Sequence, residues 1–151
     1  MSDSKRLLLI EDNEDNRMLI EFALESKTDW KTLTVSNGME GITMAETERP
    51  DVILLDLVMP DIDGLTVCKI LKSNLFTCSI PIIFITAMVQ TEVISKLENT
   101  LAEGIITKPF NVTNLDSQIA KICGWGMINS QGSLDISINK YRKLKLDRLL
   151  F

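Results

Sequence analysis

The chain has 151 residues, 45% of them apolar and 25% charged, the size and make-up of one globular domain with a real core. Its formal charge of −5 is uneven: residues 124–151 hold five bases and two acids (+3), and residues 1–123 hold 11 bases and 19 acids (−8). An acidic body argues against broad nucleic-acid binding, and the complete absence of histidine excludes Ser-His or Cys-His catalysis, His-ligated zinc and a phosphohistidine carried by this chain. The longest apolar runs have four residues, far short of the roughly 20 that a membrane-spanning helix needs. The start, Met-Ser-Asp-Ser-Lys-Arg, is too polar for a signal peptide, so the expected location is the cytoplasm. Cys68, Cys78 and Cys123 have no metal-ligand spacing and read as reduced structural thiols.

Lys5 to Ile10 reads as a first buried strand. It runs into Glu11-Asp12-Asn13-Glu14-Asp15, where Asn13 is a good helix N-cap. Glu14 and Asp15 then suit the first turn of a helix, but Glu11 and Asp12 precede the cap and need another reason. Arg17 to Ser26 is expected to be helical, with Leu19, Phe22 and Ala23 inward. Trp30 to Val35 is a shorter strand, Asn37-Gly38 a turn, and Met39 to Glu48 a helix stopped by Arg49-Pro50.

Asp51-Val-Ile-Leu-Leu-Asp56-Leu-Val-Met-Pro60-Asp-Ile-Asp-Gly64 is the centre of the chain. An apolar run of four, flanked by acids and closed by Pro60 and Gly64, reads as a strand buried on both faces. Asp56 stands at its carboxyl end, either as a turn or N-cap carboxylate or as a group facing the ligand crevice of an open parallel sheet. Leu65 to Asn74 is the next helix, with Leu65, Cys68 and Leu71 three apart. Ile80 to Ile85 is a fourth strand ending at Thr86. Glu92 to Leu101 is a helix with Ile94, Leu97 and Leu101 on one face. Gly104 to Thr107 is a fifth strand ending at Lys108-Pro109. Val112, Leu115, Ile119 and Ile122 mark a last helix.

Five alternations of strand and helix imply an α/β fold: a doubly wound, five-stranded parallel sheet with right-handed crossovers. All post-strand loops then open on one edge. That edge collects Glu11 and Asp12, Asp56, Thr86 and Lys108 from four different strands. Three acids there tolerate one another best around a hard dication such as Mg²⁺. A lysine and a hydroxyl suit phosphoryl oxygens, and a carboxylate can itself become an acyl phosphate. Taken singly, Lys108 reads as a solvated surface lysine and Thr86 as a strand-end residue; their co-location is what carries the reading.

Four segments, in this order, resemble the receiver domain of two-component response regulators over residues 5 to about 123. They are Leu-Leu-Leu-Ile-Glu11-Asp12-Asn, the Asp51–Gly64 stretch, Ile-Pro-Ile-Ile-Phe-Ile-Thr86-Ala87, and Thr-Lys108-Pro109-Phe110. The resemblance implies a flavodoxin-like (βα)5 fold of the stand-alone type. It implies that Asp56 takes a phosphoryl group from a sensor histidine kinase or a histidine phosphotransfer protein. It further implies Mg²⁺ held by Asp12, Asp56 and the Val58 main-chain carbonyl, with Glu11 acting through water. Lys108 and Thr86 would contact the phosphoryl oxygens, Lys108-Pro109 would be a cis-proline site, and the phosphorylated surface would engage a downstream protein, with a homodimer one arrangement open to it. A catalytic role in its own phosphorylation and dephosphorylation is implied, rather than that of an enzyme acting on free substrates.

Two departures stand out. Ile105 occupies the place of the family's usual aromatic switch residue. Residues 124–151 form a short basic tail, in which Lys140 to Phe151 reads as an amphipathic helix, and they are too few for a DNA-binding output domain. Two rival readings remain. Asp61-Ile-Asp63-Gly64 resembles the nucleophile motif of haloacid-dehalogenase-type phosphatases, although Pro60 separates it from the strand. A receiver that folds but no longer switches would serve as a binding module. Val58 and Met88 are expected on the rim of the site, both apolar, which predicts slow hydrolysis of an acyl phosphate.

Overall fold

The computed structural model describes residues 4–87 and 90–126. Met88 and the basic stretch Lys140 to Phe151 lie outside the described residues. The elements alternate strictly: β1 (Arg6–Ile10), α1 (Glu14–Glu25), β2 (Lys31–Val35), α2 (Gly38–Glu48), β3 (Val52–Asp56), α3 (Gly64–Ser73), β4 (Ile82–Thr86), α4 (Thr91–Glu98), β5 (Gly104–Thr107) and α5 (Leu115–Cys123). The strands form one parallel sheet in the order β2-β1-β3-β4-β5. The chain winds outward from β1 in both directions, which is the doubly wound arrangement expected from the sequence.

The alternation of side chains along each strand builds two cores. Leu8, Ile10, Ile53, Leu55, Ile82 and Phe84 face one way, against Ile42, Val67, Cys68, Leu71 and Leu97 from α2, α3 and α4. Leu7, Leu9, Val52, Leu54, Ile83 and Ile85 face the other way, against Ile20, Ala23, Leu24, Leu115 and Ile119 from α1 and α5. All four apolar residues of β3 are wholly buried. Burying each such side chain is worth about 1.5–3 kcal/mol, so the strand that ends in Asp56 is firmly held, with β1 and β4, whose apolar residues are equally buried, on either side of it. Ile105 pairs with Phe84 across β4 and β5 and packs half-buried on the first core.

Three expectations about helix faces need correction. In α1 the buried residues are Ile20, Ala23 and Leu24, whereas Leu19 and Phe22 are 45% and 71% exposed. Two apolar stripes run along this helix about 100° apart, and the core takes the one containing Ile20 and Leu24. The helix begins at Glu14, as the N-cap reading of Asn13 expected: the Asn13 side chain caps it by accepting from Asn16 N–H. In α4 only Leu97 is buried. The helix stops at Glu98, where the N–H groups of Asn99 and Thr100 turn back to Ser95 and Leu97, leaving Leu101 outside it and 40% exposed. Val112 lies before α5 and is 38% exposed; the inward set there is Leu115, Ile119 and Cys123. Packing continues past Cys123: Trp125 meets Trp30 edge to face at 5.4 Å, and Lys5 lies 5.0 Å from the Trp125 ring.

Candidate functional site

Every strand releases its chain at the same edge, so the carboxyl ends of β1, β3, β4 and β5 bring Glu11, Asp56, Thr86 and Lys108 close together. Four buried polar or charged residues stand among the described residues: Glu11, Asp56, Thr77 and Thr86. Three of these four belong to this edge. Buried carboxylates are costly unless paired, and Lys108 supplies the pairing. Its Nζ lies 3.2 Å from both carboxylate oxygens of Glu11 and 3.4 Å from Asp56 Oδ2. The backbone brings Lys108 there, because its N–H donates to the Thr86 carbonyl at 2.8 Å. The Lys108-Pro109 bond is cis, as the resemblance implied.

Glu11, Asp12 and Asp56 each offer a carboxylate oxygen within 4.8 Å of the others. Glu11 is fully buried and Asp12 is exposed. Burial is the main reason the Glu11 carboxyl is pushed up to about 7; a hydrogen bond shared with Asp56 and the charge of Asp56 push the same way, against Asn16 and Lys108. The Asp56 carboxylate shares that hydrogen bond with Glu11, lies 3.4 Å from Lys108 Nζ through Oδ2, and accepts at Oδ1 from Val58 N–H at 3.5 Å, beyond ordinary hydrogen-bond length. A carboxylate at a strand end beside a lysine has the chemistry of a nucleophile.

The loop after β3 is shaped by its own residues. Gly64 N–H donates to Leu57 O at 2.8 Å. A Cβ on Gly64 would stand 2.4 Å from the Asp56 carbonyl oxygen, so only glycine allows this close return. Asp63 caps α3 by accepting from Thr66 N–H at 2.8 Å. Asp61 accepts from the N–H groups of Gly38 and Met39, both at 2.9 Å, at the start of α2. These bonds hold the Asp61 carboxyl below the usual carboxylate range. Both acids of the phosphatase-like motif are therefore occupied in fixing the loop. Val58 is 59% exposed on the rim.

Two contributors were not foreseen from the sequence. Asn16 Nδ2 donates to Glu11 Oε1 at 2.8 Å. Arg17 Nη1 donates to the carbonyls of Glu11 and Asp12 at 2.8 and 2.9 Å. Their signal in the sequence was slight: two polar residues, one turn into a helix that begins beside the acids.

The donor set fits a hard divalent cation. All candidate ligands are oxygens, two of the three are aspartates, and the exposure of Asp12 leaves room for water, the pattern of Mg²⁺. Asp12 and Asp56 would hold it and Glu11 would act at its edge.

The response regulator receiver domain family matches residues 7–120. The polar-differentiation response regulator DivK of Brucella anthropi is 32% identical over 120 residues, covering 80% of this chain and 97% of DivK. The alkaline phosphatase synthesis transcriptional regulatory protein PhoP of Bacillus subtilis is 32% identical over 121 residues, covering 79% of this chain; the match spans 48% of PhoP, about half its length. Among solved structures, the receiver domain of a sensor histidine kinase from Pseudomonas aeruginosa PAO1, with a magnesium ion coordinated in its active-site cleft, is similar at 28% identity. Its TM-score is 0.72, and the match covers 80% of this chain and 98% of that one. The chemotaxis protein CheY4 of Vibrio cholerae shares the fold at TM-score 0.73 and 24% identity, over 79% of this chain and 98% of that one.

Proposed function

Because the chain belongs to the response regulator receiver domain family, we propose that it is a phosphorylation-driven switch in which Asp56 accepts the phosphoryl group. The carrying observation is the placement of Asp56, buried at the end of the central strand, within reach of Glu11, Asp12 and Lys108. An Asp56 carboxylate oxygen attacks phosphorus, and a P–O bond forms as the P–N bond to the donor's imidazole breaks. The imidazole leaves with that electron pair and takes up a proton. The chain contains no histidine, so the donor is a partner: a sensor histidine kinase or a histidine phosphotransfer protein.

The chain's own residues supply the setting. Asp12, Asp56 and the Val58 carbonyl would hold Mg²⁺, with Glu11 acting through water, and the chemistry it would supply there is neutralisation of charge on the phosphoryl oxygens. Lys108 is already poised between Glu11 and Asp56 and turns to the phosphoryl oxygens when they arrive. Thr86, at the end of β4, offers its hydroxyl to the same group. Ile105 has no aromatic ring to swing, so the changed surface is made by Thr86, Lys108 and the segments that follow them. The exposed Met18, Leu19 and Phe22 on α1 begin one turn beyond the acid loop, and we assign them to docking of the phosphodonor, whose histidine must reach this edge. The three cysteines form no disulfide, which suits a reducing compartment, and the proposed site of action is the cytoplasm. A downstream protein reads the switch.

Incubation with acetyl phosphate tests this reading. The expected result is labelling up to one phosphoryl group per chain, dependent on Mg²⁺ and abolished by EDTA. Sustained turnover of p-nitrophenyl phosphate without a labelled chain would instead point to a phosphatase.

A further inference from the structure

Glu11 is the one member of the acid trio that is fully enclosed, and its direction decides how much negative charge faces the cluster. Its main chain has little freedom. Arg17 grips the carbonyls of both Glu11 and Asp12, and Glu11 N–H donates to Val35 O at 3.1 Å. What remains free is rotation of the side chain. Lys108 does not fix that rotation by itself, since its Nζ is shared between Glu11 at 3.2 Å and Asp56 at 3.4 Å.

We propose that Asn16 is a positioning residue for the divalent cation: its side-chain amide holds the Glu11 carboxylate turned into the acid cluster. This rests on the metal reading given above. Asn16 is itself fixed in place, because its backbone N–H donates to the Asn13 cap at 2.9 Å while its Nδ2 reaches back to Glu11 Oε1 at 2.8 Å. One residue thus ties the start of α1 to the side chain at the end of β1. The chemistry favours an amide at this place. A lysine or arginine would neutralise Glu11 and weaken the pull on a cation. An aspartate would repel it and leave its oxygen without a donor. Asparagine donates a hydrogen bond to the carboxylate and adds no charge. Outer partners that orient metal-binding groups in this way typically change metal affinity by about 10–100-fold when removed. Because Glu11 acts through water, the lower end of that range is expected.

The test is calorimetric titration of MgCl₂ into the full chain as parent, Asn16→Leu and Asn16→Gln, with melting curves in EDTA alongside. Asn16 is half-buried at the surface end of α1, so neither variant opens a core cavity. The expected result is a Mg²⁺ Kd raised about tenfold in Asn16→Leu, with Asn16→Gln, which keeps the donor, closer to the parent. The melting midpoints without metal should differ little among the three. A parent that binds Mg²⁺ while Asn16→Leu binds it equally well would overturn the role of Asn16 and leave the metal site standing. Equal weakening in the Leu and Gln variants would also overturn it. A parent that binds no Mg²⁺ would sink the metal reading, and this inference with it.

Discussion

Replacing Asp56 by asparagine should make the metal-free chain more stable at alkaline pH and no more stable at acid pH. The carboxylate oxygens of Glu11, Asp12 and Asp56 lie within 4.8 Å of one another. At that distance, with an effective dielectric constant of about 20, two full charges repel by roughly 3.5 kcal/mol. With both neighbours ionised, Asp56 meets about twice that. The attraction of Lys108 at 3.4 Å is worth roughly 5 kcal/mol on the same scale. The balance at pH 8 is therefore about 2 kcal/mol against an ionised Asp56, which Asp56→Asn removes. Because the Glu11 carboxyl is pushed up to about 7, it is protonated at pH 5.5, and one repulsion disappears. Attraction then exceeds repulsion, and the gain vanishes or reverses. The assay is thermal melting in EDTA at both pH values; a gain of about 2 kcal/mol in a domain this size corresponds to a Tm rise of about 5–10 °C. A lower Tm for Asp56→Asn at pH 8, or an equal gain at pH 5.5, would refute the charge balance.

Glu11 itself gives a pH signature: with its folded pKa raised to about 7, the stability due to protonated Glu11 is full below the ordinary value of 4.5 and is lost as pH rises through 7. Melting in EDTA should show Tm falling across that window, with the fall flattened in Glu11→Gln, and Mg²⁺ affinity rising across it as the competing proton leaves. Gly64→Ala places a Cβ 2.4 Å from the Asp56 carbonyl oxygen and 2.9 Å from Leu57 Cα; both are backbone atoms, so denaturant unfolding should show a loss of about 1–3 kcal/mol together with slower labelling at Asp56. Val58 is an apolar rim residue that cannot orient an attacking water; Val58→Asn should speed decay of the phosphorylated form, followed with excess Mg²⁺, and unchanged decay would make the rim a bystander.

The strands were easy to read because the sheet is parallel and covered on both faces. That arrangement demands unbroken apolar runs, and Leu7 to Ile10, Val52 to Leu55 and Ile82 to Ile85 supply them. The site followed from the strands, since Asp56, Thr86 and Lys108 each come directly at or after a strand end. Helix faces were harder. Leu19 and Phe22 have the spacing of a core stripe, and helical spacing alone cannot tell a stripe that meets the sheet from one left for a partner. The long-range polar bonds were hidden for a different reason. Asp61 finds its donors at Gly38 and Met39, more than twenty residues earlier, and that pairing exists only once α2 and the loop after β3 are side by side. Asn16 and Glu11 are closer in sequence, yet their contact depends on where Asn13 starts the helix.

The most direct test of the central claim is where the phosphoryl group resides. Parent and Asp56→Asn chains would be treated with acetyl phosphate and Mg²⁺, trapped by borohydride reduction of the acyl phosphate, and mapped by peptide mass spectrometry. Reduction at position 56 alone in the parent, and at no position in Asp56→Asn, is the result predicted. Label retained by Asp56→Asn, or a parent reduced at Asp12, Asp61 or Asp63 instead, would contradict the account.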